Sequence, residues 1–160
     1  MTDAPTPLSQ RRRDWFFVVA LALFSASSVF SDGAYALGIT SGSFGKANAA
    51  YVALAGDSFF ASNPVALRVR MLVSALLFAP VTAYLSYAIY RGVARARPVA
   101  LLYAGTMTVS VLEFFGWEWG SGVPPTNLVA FFGVNGPYLV VPILLAVRMW
   151  RPRPFGREEG

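Results

Sequence analysis

The chain has 160 residues, of which 56% are hydrophobic and only 13% charged, and its formal net charge is +5. Soluble domains carry about 25% charged residues, so an ordinary soluble domain is excluded. A nucleic-acid partner is excluded too, because the arginines stand beside apolar stretches, as membrane-border charges do. There is no cysteine and no histidine. Their absence removes disulfides, thiolate metal sites, the commonest neutral metal ligand and the commonest general base. Neither a metal nor a cofactor is expected.

Residues 1–13 read as a disordered tail that ends in Arg11, Arg12 and Arg13. A basic triplet before an apolar run also suits a signal peptide, but the run at residues 15–37 is too long for one. It has the roughly 20 residues that a helix needs to cross a bilayer. Asp32 falls near its far end, where a carboxyl is costly unless it faces protein, a watery cavity or a ligand. Ser25, Ser28, Asp32 and Tyr35 recur at i, i+3, i+7 and i+10 and share one helix face. The serines read first as packing groups, and Asp32 as a ligand-facing acid.

Residues 38–63 are rich in Gly, Ser and Ala and too long for a tight connection. Residues 47–54 suit a short helix, and Gly56-Asp57-Ser58 a turn followed by the aromatic anchors Phe59 and Phe60. Asn63-Pro64 signals the start of a second span over residues 65–90. Pro80 should kink it in the middle, and Ser74, Thr82 and Ser86 are its polar groups. After Arg91, Arg95 and Arg97, Pro98 begins a third span ending near Trp117. Thr106, Ser110, Glu113 and Trp117 share a face there. Glu113 is a second acid at membrane depth, whereas Glu118 and Trp119 are assigned to the water boundary. Thr126 or Asn127 opens a fourth span that ends near Trp150, with Asn135, Tyr138 and Pro142 on one face. Residues 151–160 form a charged tail.

The expected architecture is therefore an all-α membrane protein, a four-transmembrane-helix bundle over residues 14–150 with an intramembrane pocket. Ten of the 13 basic residues lie in the N-terminal tail, the second connection and the C-terminal end. The positive-inside rule then puts both termini in the cytoplasm. A single lysine against 12 arginines hints at a GC-rich bacterial genome; the expected location is a bacterial inner membrane, or the endoplasmic reticulum if the source is eukaryotic. At the helical rise, Asp32 lies roughly 25 Å along its span, Glu113 roughly 22 Å and Asn135 roughly 13 Å from the opposite face. All three fall in the outer half of the bilayer, which suggests one internal polar site. Its expected wall is aromatic: Phe114, Phe115, Trp117, Phe131, Phe132 and Tyr138. Two carboxyls there could give and take protons at a carbon–carbon double bond, with aromatic faces supporting a carbocation.

Several of these segments resemble the EXPERA family, which contains sterol double-bond isomerases and non-catalytic ligand-binding receptors. The segments are Phe30-Ser31-Asp32-Gly33, Gly56-Asp57-Ser58, the Leu-Leu-Tyr-Ala-Gly-Thr-Met-Thr of residues 101–108, and the Asn135 to Pro142 motif. The resemblance implies that Asp32 is the first-helix carboxylate, that Asp57 is the acid of the long connection, and that Asn135 and Tyr138 orient the ligand. Ser28 stands where the isomerases have a histidine. Met71 or Ser74 stands where a second-helix glutamate is usual, and Glu113 is expected to supply that carboxyl.

The leading expectation is an intramembrane acid/base enzyme acting on a sterol or terpenoid alkene, by isomerisation or by protonation-initiated cyclisation. Asp32, Glu113 and Asp57 are its expected catalytic groups. Asn135, Tyr138, Ser28, Ser74, Thr106, Ser110, Trp117 and Phe131 are expected to line the ligand site. The rivals are a non-catalytic protein binding a sterol, lipid or amine, and a structural subunit whose acids pair with Arg68 or Arg70. The expected partners are a hydrophobic small molecule, the membrane and a second copy of the chain.

Overall fold

Each apolar run begins and ends where its local chemistry permits. The structure, a computed structural model, describes residues 6–151, 154 and 155. Four helices are long and apolar enough to cross a membrane: α1 (Asp14–Ala36), α3 (Val65–Arg91), α4 (Ala94–Gly120) and α5 (Leu128–Met149), with α2 (Gly42–Ala55) in the first connection. No strand occurs among the described residues. The chain is a multi-pass integral membrane protein, as its composition requires.

Helix starts follow the sequence signals with one exception. The Asn127 side chain caps α5 by accepting from the Ala130 N–H at 3.1 Å, and Pro98 sits in the first turn of the regular part of α4. Asn63 does not cap α3: the cap position belongs to Pro64, and the Asn63 side-chain oxygen is buried without a donor among the described residues. The short helix expected at residues 47–54 extends over all of α2. It stops at Gly56, whose positive φ of 63° closes the helix and brings its backbone against Thr126.

The bundle is made of two helix pairs, α1 with α3 and α4 with α5. One core joins them. Phe17, Leu21 and Phe24 of α1 meet Leu85, Ala88 and Ile89 of α3, Tyr103, Met107 and Val111 of α4, and Leu145 and Met149 of α5. A second cluster of Tyr35, Ala55, Phe60, Leu67, Phe114 and Phe131 fills the opposite end. The outward faces are as apolar as the core; Leu102 is 73% exposed and Val129 86%. That suits a lipid solvent, in which the polar groups turn inward.

The end carrying most of the arginines is tied by charge. Asp14 is buried between Arg11 and Arg148, whose Nε donates to its carboxylate at 2.8 Å. Arg11 also donates to the Ile89 carbonyl at 3.0 Å, and Arg97 to the Met149 carbonyl at 2.9 Å. Both guanidiniums thus satisfy the last carbonyls of a helix, at the negative end of its dipole. Phe155 is buried under Arg11 and Arg148. Residues 1–5, 152–153 and 156–160 of the expected tails lie outside the described residues.

Asp14→Ala leaves Arg148 partly buried without its partner. Denaturant unfolding in micelles should show a loss of about 3–5 kcal/mol. A loss below about 1 kcal/mol would mean the clamp behaves as an exposed pair.

Candidate functional site

Midway along the first helix pair, both partners leave regular α geometry. Ser28–Asp32 of α1 and Ser74–Phe78 of α3 are π-helical turns, and they face each other. The α3 turn has a local cause. Pro80 has no N–H to give to the carbonyl one turn earlier, so the backbone must rearrange around it. Side chains take up nearby carbonyls: Thr82 Oγ1 donates to Phe78 at 2.8 Å, and Ser25 Oγ crosses from α1 to Ala79 at 2.9 Å. The expected disturbance at Pro80 therefore takes the form of a widened turn. No proline accounts for the turn in α1.

The two wide turns bring Asp32 against Ser74. The Ser74 hydroxyl donates to Asp32 Oδ2 at 2.6 Å and lies 3.0 Å from the Ser28 hydroxyl. These groups form one wall of a cavity of about 70 Å³ lined by Asp32, Arg70, Met71, Ser74, Phe78, Met107, Ser110, Val111, Phe114, Asn135 and Tyr138. A water needs roughly 10–15 Å³ on such a measure, so the space fits a few waters or one functional group of a larger molecule. It does not enclose a whole sterol, and drug-sized ligand sites reach several hundred Å³ (about 300–1,000). The rest of such a ligand would extend between helices.

The opposite wall is set by α5. Pro137 cannot continue the hydrogen-bond ladder, and beside that gap Asn135 uses its amide N–H groups on the Phe131 carbonyl and the Tyr51 hydroxyl, both at 2.9 Å. Its carbonyl oxygen remains as an acceptor. Tyr138 stacks on Phe24 with ring centroids 4.3 Å apart and donates to Ser27 at 2.9 Å. It is thereby a brace between α1 and α5 as well as a wall.

Of the residues expected at the site, Asp32, Ser74, Ser110, Asn135 and Tyr138 line the cavity, and Ser28 stands directly behind Ser74. Glu113 does not join them. It is exposed, as is Thr106; Trp117 is half-buried and away from the cavity. The inward face of α4 runs through Tyr103, Met107, Val111, Phe114 and Glu118. The expected face, Thr106, Ser110, Glu113 and Trp117, is that series moved back by one residue, a rotation of about 100°. Only Ser110, at the border, still reaches the cavity. Phe131 is buried in the second cluster, where it packs with Phe115, Trp119 and Phe132 rather than on a ligand surface. The rings left on the cavity wall are Phe78, Phe114 and Tyr138.

Glu118, assigned to the water boundary, is fully buried, as is Asp57. Asp57 caps the turn Ser58–Ala61 by accepting from the Phe60 N–H at 2.7 Å, and it accepts from the Tyr51 hydroxyl at 2.7 Å. Burial, reinforced by the Asp57 carboxylate, pushes the Tyr51 phenol up, so it stays protonated and donates. No donor among the described residues reaches either Glu118 oxygen. The Asp57 carboxyl is within electrostatic reach of it, with no hydrogen bond between the two among the described residues. A hydrogen-bonded line thus runs Asp57–Tyr51–Asn135 and ends at the cavity wall. Asp57 supports the site through Tyr51 and Asn135 and does not itself line it.

Arg70 is the charge that the sequence reading did not bring to the pocket. Its Nε donates to Ser110 Oγ at 3.1 Å, and its guanidinium lies over the Phe114 ring at 4.7 Å. Neither Arg68 nor Arg70 forms an ion pair among the described residues, although Asp32 and Glu113 are within electrostatic reach of Arg70. The pairing expected for a purely structural subunit is absent from those residues.

Four membrane-length helices surround a small interhelical cavity with a carboxyl on its first-helix wall. The EXPERA model (expanded EBP superfamily) matches residues 43–149, and the chain belongs to that superfamily of sterol isomerisation and binding. The match takes in Asp57, Arg70, Glu118 and Asn135, and it begins after Asp32. No curated protein and no solved structure gives a significant match.

Asp57→Ala removes a cap, the acceptor for Tyr51 and the neighbour of Glu118. Thermal unfolding should show a loss on the order of 2–4 kcal/mol. Glu118→Gln, which changes a side chain that no described donor reaches, should stay near wild type. Equal losses in both variants would contradict a support carried by the hydrogen bonds of Asp57 alone.

Proposed function

We propose that this protein is an intramembrane acid/base enzyme that shifts a double bond in a sterol or terpenoid ligand. The observation that carries the reading is Asp32, held by Ser74 across two widened turns and open to a cavity too small for anything but the reacting end of a lipid. A single carboxyl suffices for isomerisation, because it can remove a proton from one carbon and return it to another two bonds away. Ser74 and Ser28 fix the carboxyl, Asn135 offers an acceptor from the far wall, and the wall between them is apolar. In this reading Glu113 has no catalytic role, and Asp57 positions Asn135.

Cyclisation through a carbocation is less well supported. Such a cation needs open aromatic faces, and the guanidinium of Arg70 already covers Phe114. Non-catalytic binding of a sterol or other lipid remains the second reading, favoured by the presence of one carboxyl rather than two in the cavity. Binding of an amine fits less well, because Arg70 would repel it. Both readings put the arginine-rich end in the cytoplasm, so the cavity opens in the outer half of the bilayer.

The test is turnover of sterol and isoprenoid alkenes by the protein in nanodiscs, followed by mass spectrometry of extracted lipids. Asp32→Asn should lower turnover by about 100-fold or more while the protein stays folded. Wild-type turnover in that variant would overturn the assignment. Retention of a co-purified lipid that Asp32→Asn loses, with no product from wild type, would select the binding reading.

A further inference from the structure

Asp32 and Arg70 line the same cavity, and their charges constrain the intermediate that could form between them. Arg70 spends its Nε on Ser110 and its face on Phe114. Its terminal amino groups have no acceptor among the described residues, and they are not sealed from the cavity as the Glu118 oxygens are sealed in protein. A guanidinium with unspent donors in a poorly solvated site calls for an acceptor oxygen. Among the described residues no hydrogen bond joins these amino groups to the other polar atoms of the cavity. The Ser74 hydroxyl is spent on Asp32, Asn135 offers its oxygen from α5 to the cavity, and the Tyr138 hydroxyl is turned to Ser27.

We infer that the substrate is a β,γ-unsaturated ketone of isoprenoid or steroid frame, its carbonyl oxygen held by Arg70 and its activated C–H facing Asp32. The inference rests on the acid/base reading of Asp32 and narrows it. Protonating a bare alkene would create a carbocation beside a fixed cation, which Arg70 opposes. Removing a proton beside a carbonyl creates an anion, which Arg70 holds. The Asp32 carboxylate takes the proton from the carbon between carbonyl and alkene. The C–H electrons form a new carbon–carbon double bond, and the carbonyl oxygen becomes an oxyanion on the guanidinium. The carboxyl then returns the proton to the far alkene carbon and the C=O re-forms. The product is the conjugated enone; no oxidant, reductant or second substrate is consumed. A cavity of about 70 Å³ suits this, because only the ketone and the adjoining carbons need to enter.

The experiment uses the full chain in nanodiscs with two matched pairs of probes: a β,γ-unsaturated 3-ketosteroid and its 3-alcohol, and an acyclic isoprenoid β,γ-enone and its alcohol. Enone absorbance and deuterium uptake from heavy water are both read. At least one ketone should be converted and labelled, with its alcohol unchanged. Arg70→Gln should lower kcat by about 100-fold or more, the usual loss for an oxyanion donor, and Arg70→Lys should recover part of it. Conversion of an alcohol as fast as its ketone, or full kcat in Arg70→Gln, overturns the ketone inference and leaves the acid/base reading standing. If wild type neither converts nor labels any probe, the ketone inference fails; if it also leaves every sterol and isoprenoid alkene unchanged, the acid/base reading fails with it. Should Arg70→Gln not fold, the ketone-over-alcohol preference of wild type decides.

Discussion

The hydrogen bond from Ser74 to Asp32 depends on two helices giving up α geometry at the same level. A regular α1 packed against a regular α3 would leave a carboxyl at this depth facing lipid or wedged against backbone. Pro80 frees a carbonyl, the helix widens over Ser74–Phe78, and Ser25 and Thr82 supply donors to the loosened backbone. Polar side chains that look like packing groups in isolation are there because the backbone needs them. The resulting gap between helix pairs is the cavity, and what lines it follows from which residues the widened turns present.

Around that gap the molecule separates two kinds of polar chemistry. At the arginine-rich end, guanidiniums close helix ends and clamp Asp14, which fixes the bundle without any role in the cavity. At the other end, Asp57 and Glu118 are both buried, and Tyr51 links Asp57 to Asn135. The first connection is therefore part of the pocket's frame. It ties α2 to α1 through Ser31 and Asn48, and to α5 through Asn127, which seals the end of α2.

The four spans were legible because lipid-crossing length and arginine flanks are coarse signals that tolerate errors of a few residues. Asp32 was legible because a lone acid at that depth stands out, and Asn135 because a buried amide at similar depth shares a face with Tyr138. The face of α4 was not. Its apolar residues lie on both sides, some against protein and some against lipid, so the helical period that marks a soluble core is faint. A polar series, Thr106 to Trp117, then looks like the inward face, although the packed series one residue later ends on Glu118. The large apolar series Tyr103, Met107, Val111, Phe114 carried that information. Arg70 was read as a border charge or as a partner for the acids, and only the third dimension brings it across from α3 to Ser110 of α4.

The central claim is that the space between Asp32 and Arg70 receives the functional end of a lipid. A cryo-EM or crystal structure of the protein purified in native lipid tests it most directly. The account predicts continuous density entering between the helix pairs, with a polar atom within hydrogen-bond distance of Arg70 and a carbon next to the Asp32 carboxyl. A cavity closed by side chains or holding water alone, with retained lipid only on the outer face of α4 near Glu113, would contradict it.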